Sequence, residues 1–146
     1  MFRILAFIPL VFTLLSCNKC REKCENGICI EKSCSCNQWY EGDACERLKL
    51  TQYQGDYLFH QDCNGVESEF PISIESGISP NQLKTSDGLV FNFITISRFN
   101  IETQEWRSET VEGEGEMFVN SLSINLKKID SVQSTVCLLQ GTLKQD

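Results

Sequence analysis

The chain has 146 residues, enough for one domain or two small ones, and its 41% hydrophobic and 23% charged residues exclude a disordered or fibrous chain. Thirteen Lys+Arg against twenty Asp+Glu leave a net charge of −7, which argues against a nucleic-acid partner because a phosphate backbone selects basic faces. Nine cysteines point to an oxidising compartment, and one histidine leaves little for a zinc site or an imidazole base.

Met1-Phe2-Arg3 makes a short basic start, followed by an apolar run from Ile4 to Leu15 broken only by Pro9 and Thr13. Spanning a bilayer takes ~20 apolar residues. The run is shorter and has the size of a secretory core, so residues 1–16 are predicted to be a signal peptide. Leu14-Leu15-Ser16-Cys17 resembles the lipobox of bacterial lipoproteins. The resemblance implies that Cys17 becomes the lipidated N-terminus, held in the membrane by several acyl chains. Asn18 stands where an inner-membrane retention signal would place Asp, so the same resemblance implies the outer membrane. The alternative is an ordinary secretory peptide cleaved nearby, with Cys17 a plain disulfide partner.

The cysteines lie at positions 17, 20, 24, 29, 34, 36, 45, 63 and 137. An odd number leaves one unpaired or modified; setting Cys17 aside for lipid leaves an even set. Six are packed between Cys20 and Cys45, and spacing alone does not choose among their pairings. Asn26-Gly27 is a turn signal before Cys29. Cys34-Ser35-Cys36 followed by Tyr40-Glu41-Gly42-Asp43-Ala44-Cys45 resembles the EGF-like module. The resemblance covers residues 20–46 and implies the bridges Cys20–Cys29, Cys24–Cys34 and Cys36–Cys45. Trp39 replaces the first glycine of the family's hallmark, which predicts a different local turn. Trp39 and Tyr40 form an exposed aromatic pair that covers the next domain or touches a partner.

So small a module, residues 20–47, cannot bury enough apolar surface alone, and each bridge contributes ~2–4 kcal/mol, chiefly by restricting the unfolded chain. Zinc sites place C-x2-C or C-x4-C knuckles symmetrically, and an exported, oxidised chain favours bridges over a metal cluster; Asn18-Lys19 before Cys20 lacks the carboxylates that calcium requires. No metal and no cofactor are expected.

Residues 48–146 hold seven basic and fourteen acidic groups, so nearly all the acidity lies there. Period-two alternation dominates. Tyr57 and Phe59 oppose Asp56 and His60; Phe70, Ile72 and Ile74 oppose Glu69, Ser73 and Glu75, with Pro71 marking an edge or a bulge. Leu89, Phe91 and Phe93 begin another strand whose phase slips before Ile94 and Ile96. Trp106 to Val111 reads as a strand, Leu122, Ile124 and Leu126 form the cleanest one, and Thr135 to Leu143 closes the chain. Asn64-Gly65, Ser76-Gly77 with Pro80-Asn81, Asp87-Gly88, Gly113 with Gly115, and Asp130-Ser131 act as breakers. The fold class is mostly β: a disulfide-rich module plus an antiparallel barrel or sandwich of seven to eight short strands.

If Cys63 pairs with Cys137, the bridge ties the first strand to the last, as a closed barrel would allow. Gly55-Asp56-Tyr57 is similar to the opening of lipocalin-like barrels. Gly113 to Glu116, Asn120 to Ile124 and Cys137 resemble the C-terminal lipocalin-like domains of Bacteroidota lipoproteins.

Catalytic signals are absent: no G-x-S-x-G elbow, phosphate loop or H-E-x-x-H helix occurs. His60 beside Asp62 reads as a surface histidine. Glu112, Glu114 and Glu116 read as the solvated side of a strand, or a weak cation site. The expectation is a non-enzymatic, lipid-anchored outer-membrane protein. Its module acts as a stiff stalk presenting an acidic β-domain to a protein or glycan partner. The alternatives are a carrier of a small apolar ligand, a hydrolase or inhibitor working through loops such as Gly77–Gln82 or Ile101–Glu105, and a secreted EGF ligand.

Overall fold

The computed structural model of the chain describes residues 20, 23–131 and 133–144. The apolar leader, Cys17 and the Asn18-Lys19 pair lie outside the described residues. The N-terminal module contains two hairpins: β1 (Gly27–Ile30) pairs with β2 (Ser33–Cys36), and β3 (Tyr40–Glu41) with β4 (Arg47–Leu48). Disulfides join Cys20–Cys29, Cys24–Cys34 and Cys36–Cys45, with Cα separations of 5.6, 5.6 and 5.2 Å. Cys20 and Cys45 are buried, but β1 turns Ile28 and Ile30 to solvent. The bridges therefore take the place of a core. Trp39 stays out of the left-handed region, which in this module is taken by Glu31 and Lys32 in the β1–β2 turn and by Gly42 (φ 98°) and Cys45 (φ 58°) after it.

Eight further strands form a closed antiparallel barrel: β5 (Gly55–Cys63), β6 (Val66–Ser76), β7 (Gln82–Thr85), β8 (Val90–Phe93), β9 (Arg98–Trp106), β10 (Glu109–Met117), β11 (Ser121–Ile129) and β12 (Ser134–Leu143). Each strand neighbours the next in sequence, and β12 returns to β5. Alternate side chains point inward, so Tyr57, Phe59, Phe91, Phe99, Met117 and Leu139 meet in a filled interior.

The β5–β6 hairpin shows how sequence sets register. Asn64 (φ 55°) and Gly65 (φ 82°) make a two-residue turn, and the Gly65 N–H donates to Asp62 Oδ1 at 2.8 Å. Hydrogen-bonded and non-hydrogen-bonded pairs alternate away from such a turn. Counting from Cys63↔Val66, the Leu58↔Pro71 pair is non-hydrogen-bonded. Position 71 would point its N–H away from β5, toward the side where β7 pairs only with Ile74–Ser76. Proline thus loses no ladder bond there, and it makes that open edge a poor template for another chain.

The same alternation places Cys63 and Cys137. Cys63 spends its backbone groups on the hairpin, so toward β12 it faces its partner in the closer, non-hydrogen-bonded arrangement. The two are register partners, bridged, with Cα atoms 4.2 Å apart.

Several expectations require correction. Trp106–Val111 is not one strand: Arg107 (φ 51°) and Ser108 (φ 65°) form a tight turn, ending β9 and starting β10. Ile101–Glu105 is the body of β9, not a loop. Gly113 and Gly115 do not break the chain but lie within β10, beside a bulge between Val111 and Gly113. An added β-carbon at Gly115 would strike the Phe99 ring and the Ser123 carbonyl, so glycine makes room there for a core phenylalanine. The phase slip before Ile94 is the end of β8. The four-residue β7 carried no sequence signal beyond Leu83 between polar neighbours.

Candidate functional site

Both barrel ends are closed by the protein's own side chains. At the near end, where the chain enters, a 3-10 turn at Lys49–Tyr53 buries Leu50 and Tyr53 in the core. The Tyr53 ring stacks on Phe93 with centroids 6.2 Å apart, and the buried Tyr57 hydroxyl donates to the Tyr53 carbonyl at 3.0 Å. Burial, and then the neighbouring Tyr53, push the Tyr57 hydroxyl above its ordinary pKa. Trp39 and Leu48, both half-buried, pack against the same core. Gln38 reaches the Ile94 carbonyl at 3.4 Å. Trp39 therefore covers the barrel and is not a free partner contact, while Tyr40 sits opposite Leu48 in the short β3–β4 ladder. The module is seated on the barrel through these contacts.

At the far end, β7 and β8 are too short to fill the wall, and side chains complete it. The Gln104 amide accepts from the Val90 N–H at 2.9 Å and donates to the Val90 carbonyl at 3.0 Å, replacing a strand neighbour. Phe70 stacks on Phe59 at 5.7 Å, and the Arg107 guanidinium lies 3.9 Å from the Phe70 centroid and 4.7 Å from Trp106. Arg107 also pairs with Asp87 at 2.6 Å. Thr85, itself buried, donates to Asp87 at 2.6 Å and accepts from the Leu89 N–H at 2.9 Å. Burial raises the Asp87 pKa, but Thr85, Trp106 and Arg107 together hold it below the usual value. The buried Trp106 N–H lies near enough to act on Asp87 electrostatically, although it makes no hydrogen bond of proper geometry. The sequence reading missed this cluster because Phe70, the Thr85–Asp87 stretch and the Trp106-Arg107 pair come from three separate segments.

The outer face of β9, β10 and β11 is polar. Glu112, Glu114 and Glu116 alternate outward on β10. Lys127 bonds Glu112 at 2.9 Å, with Thr103 at 3.2 Å, and these bonds hold the Glu112 carboxyl below its ordinary pKa. Arg98 lies 3.6 Å from Glu116. Neighbouring strands thus answer two of the three charges, and no group of three metal-ligating side chains occurs among the described residues. Between these strands lies a hollow of ≈ 180 Å³, bordered by Arg98, Asn100, Glu114, Glu116, Ser123 and Asn125. Its lining is charged and amide-bearing, suited to hydroxyl and amide groups. His60 is half-buried, 3.6 Å from Glu69, its partner across β5–β6. No helix among the described residues is long and apolar enough to cross a membrane. Protein-family models and curated proteins were both searched, and neither gave a match to this chain.

Proposed function

We propose that the protein is a lipid-anchored envelope protein of the outer membrane that binds a protein or glycan through the outside of its barrel and carries out no chemistry. The observation that carries this reading is the filled interior, closed by Tyr53 at one end and by Phe70, Trp106 and Arg107 at the other. A barrel packed with its own side chains favours binding at the outer surface over an enclosed apolar ligand. The polar hollow over β9–β11 offers such a surface. The Cys17 lipobox resemblance supports the anchor, and the four bridges among the remaining cysteines leave Cys17 as the odd thiol.

Intact mass analysis of the protein from its native membrane tests this reading. The expected species starts at Cys17, carries acyl chains there, has eight oxidised thiols, and retains no small apolar ligand under native conditions. An unacylated Cys17 would remove the anchor. A retained ligand would replace the binding reading with a carrier.

A further inference from the structure

The barrel's two ends differ in loop chemistry. The near-end loops 77–81, 94–97 and 118–120 contain no Asp, Glu, Lys or Arg, in a chain with 23% charged residues. The far-end turns, by contrast, hold Asp87, Arg107 and Asp130, whereas the nearest charges at the near end, Glu75, Arg98 and Glu116, lie on the flanking strands. The uncharged loops also carry five exposed apolar side chains, against Val66 at the far-end hairpin. Ile78 is 99% exposed, Val119 77%, Ile94 54%, Phe118 53% and Ile96 37%.

These tips are neighbours. The Phe93 N–H donates to the Asn81 carbonyl at 2.8 Å, joining the first loop to the second, and the Met117 N–H donates to Ser97 at 2.7 Å, joining the second to the third. The disulfide module is seated on this same end through Trp39, Leu48 and the Gln38–Ile94 bond.

We infer that the near-end loop tips dip into the interfacial layer of the membrane that holds the anchor. This rests on the proposed acylation of Cys17. Only Asn18 and Lys19 separate that residue from Cys20, and three residue steps reach ~10 Å at most. The chain thus leaves the bilayer at the module, and the barrel end nearest the module is the uncharged one. Exposed Ile and Phe side chains gain by leaving water for the acyl boundary, and uncharged Ser, Thr and Asn between them lose little there. Charged loops would resist that transfer, and they lie at the opposite end. The stretch of β9–β11 farther from the tips, around Thr103, Glu112 and Lys127, then stands clear of the surface, available to a partner.

Tryptophan quenching tests the inference. The full acylated chain is placed in phosphatidylethanolamine–phosphatidylglycerol vesicles containing a brominated lipid. Three variants, Ile78→Trp, Phe118→Trp and, at the far-end hairpin, Val66→Trp, are compared with the parent as baseline. The expected result is a several-fold stronger quenching of the introduced indole at positions 78 and 118 than at 66. Equal quenching at all three overturns the inference and leaves the anchor standing. A blue shift that follows protein concentration instead of lipid marks a second copy as the occupant and also overturns it. Failure of the parent to float with vesicles, with no acyl mass on Cys17, removes both the anchor and the inference built on it.

Discussion

Arg107 holds a left-handed backbone position without glycine's freedom (φ 51°), a placement that costs about 1 kcal/mol or more. Its side chain offsets that cost by lying over Phe70 and Trp106 and by pairing with Asp87. A partly exposed guanidinium over an aromatic face is worth ~0.5–1 kcal/mol, and the Arg107 side chain is 40% exposed. Asp87 is the other half of the device. Its carboxyl is buried enough to be penalised, yet Thr85, Trp106 and Arg107 keep its pKa low. A carboxyl with a depressed folded value adds stability above its unfolded pKa of ~3.9, and that stability drains away as pH falls through the folded value. Asp87→Asn should therefore lower the urea midpoint at about pH 7, and the gap from wild type should close steadily below roughly pH 4. A gap of equal size at both pH values would assign the loss to shape instead of charge.

Among the elements, β5 and β12 close the barrel, and the Cys63–Cys137 bridge locks them across 74 residues of sequence. Loop-closure entropy assigns such a bridge ~4 kcal/mol. The interior and the β5–β12 ladder remain without it, so Cys63→Ala with Cys137→Ala should fold but unfold at lower denaturant by about that free energy. Loss below ~1 kcal/mol would mean that the unfolded chain stays compact without the bridge. Legibility followed the same physics. Strands with clean alternation, such as Leu122–Leu126 in β11, and turns with Asn-Gly, such as 64–65, could be read directly. The Trp106–Val111 hairpin could not, because its turn residues are Arg and Ser, and contacts with Phe70 and Asp87 from distant segments stabilise their conformation. Gly113 and Gly115 misled for a related reason: in β10 they are spacers for Phe99 and the β11 backbone, a requirement visible only once the strands are side by side. The far-end cluster was equally hidden, since Phe70, Asp87 and the Trp106-Arg107 pair meet only where two short strands leave a gap.

On the scale of the whole molecule, the question is whether module and barrel act as one body. The module has little core of its own, and the barrel end beneath it is sealed by residues 48–53, which belong to the junction. Trp39 is the module's main contribution to that seal. Half-burying an indole is worth ~1–2 kcal/mol, so Trp39→Ala should lower the barrel's urea midpoint although it changes no barrel residue. The module's three bridges are untouched by the change, so its internal pairing should survive. What should be lost is the fixed angle: amide relaxation measured by NMR should report β1 and β2 tumbling with the barrel in the parent and faster in the variant. An unchanged midpoint with unchanged relaxation would show that the Gln38–Ile94 bond and Leu48 suffice to join the two parts. That outcome would leave Trp39 in place over the barrel but show that its packing there adds little to the joint.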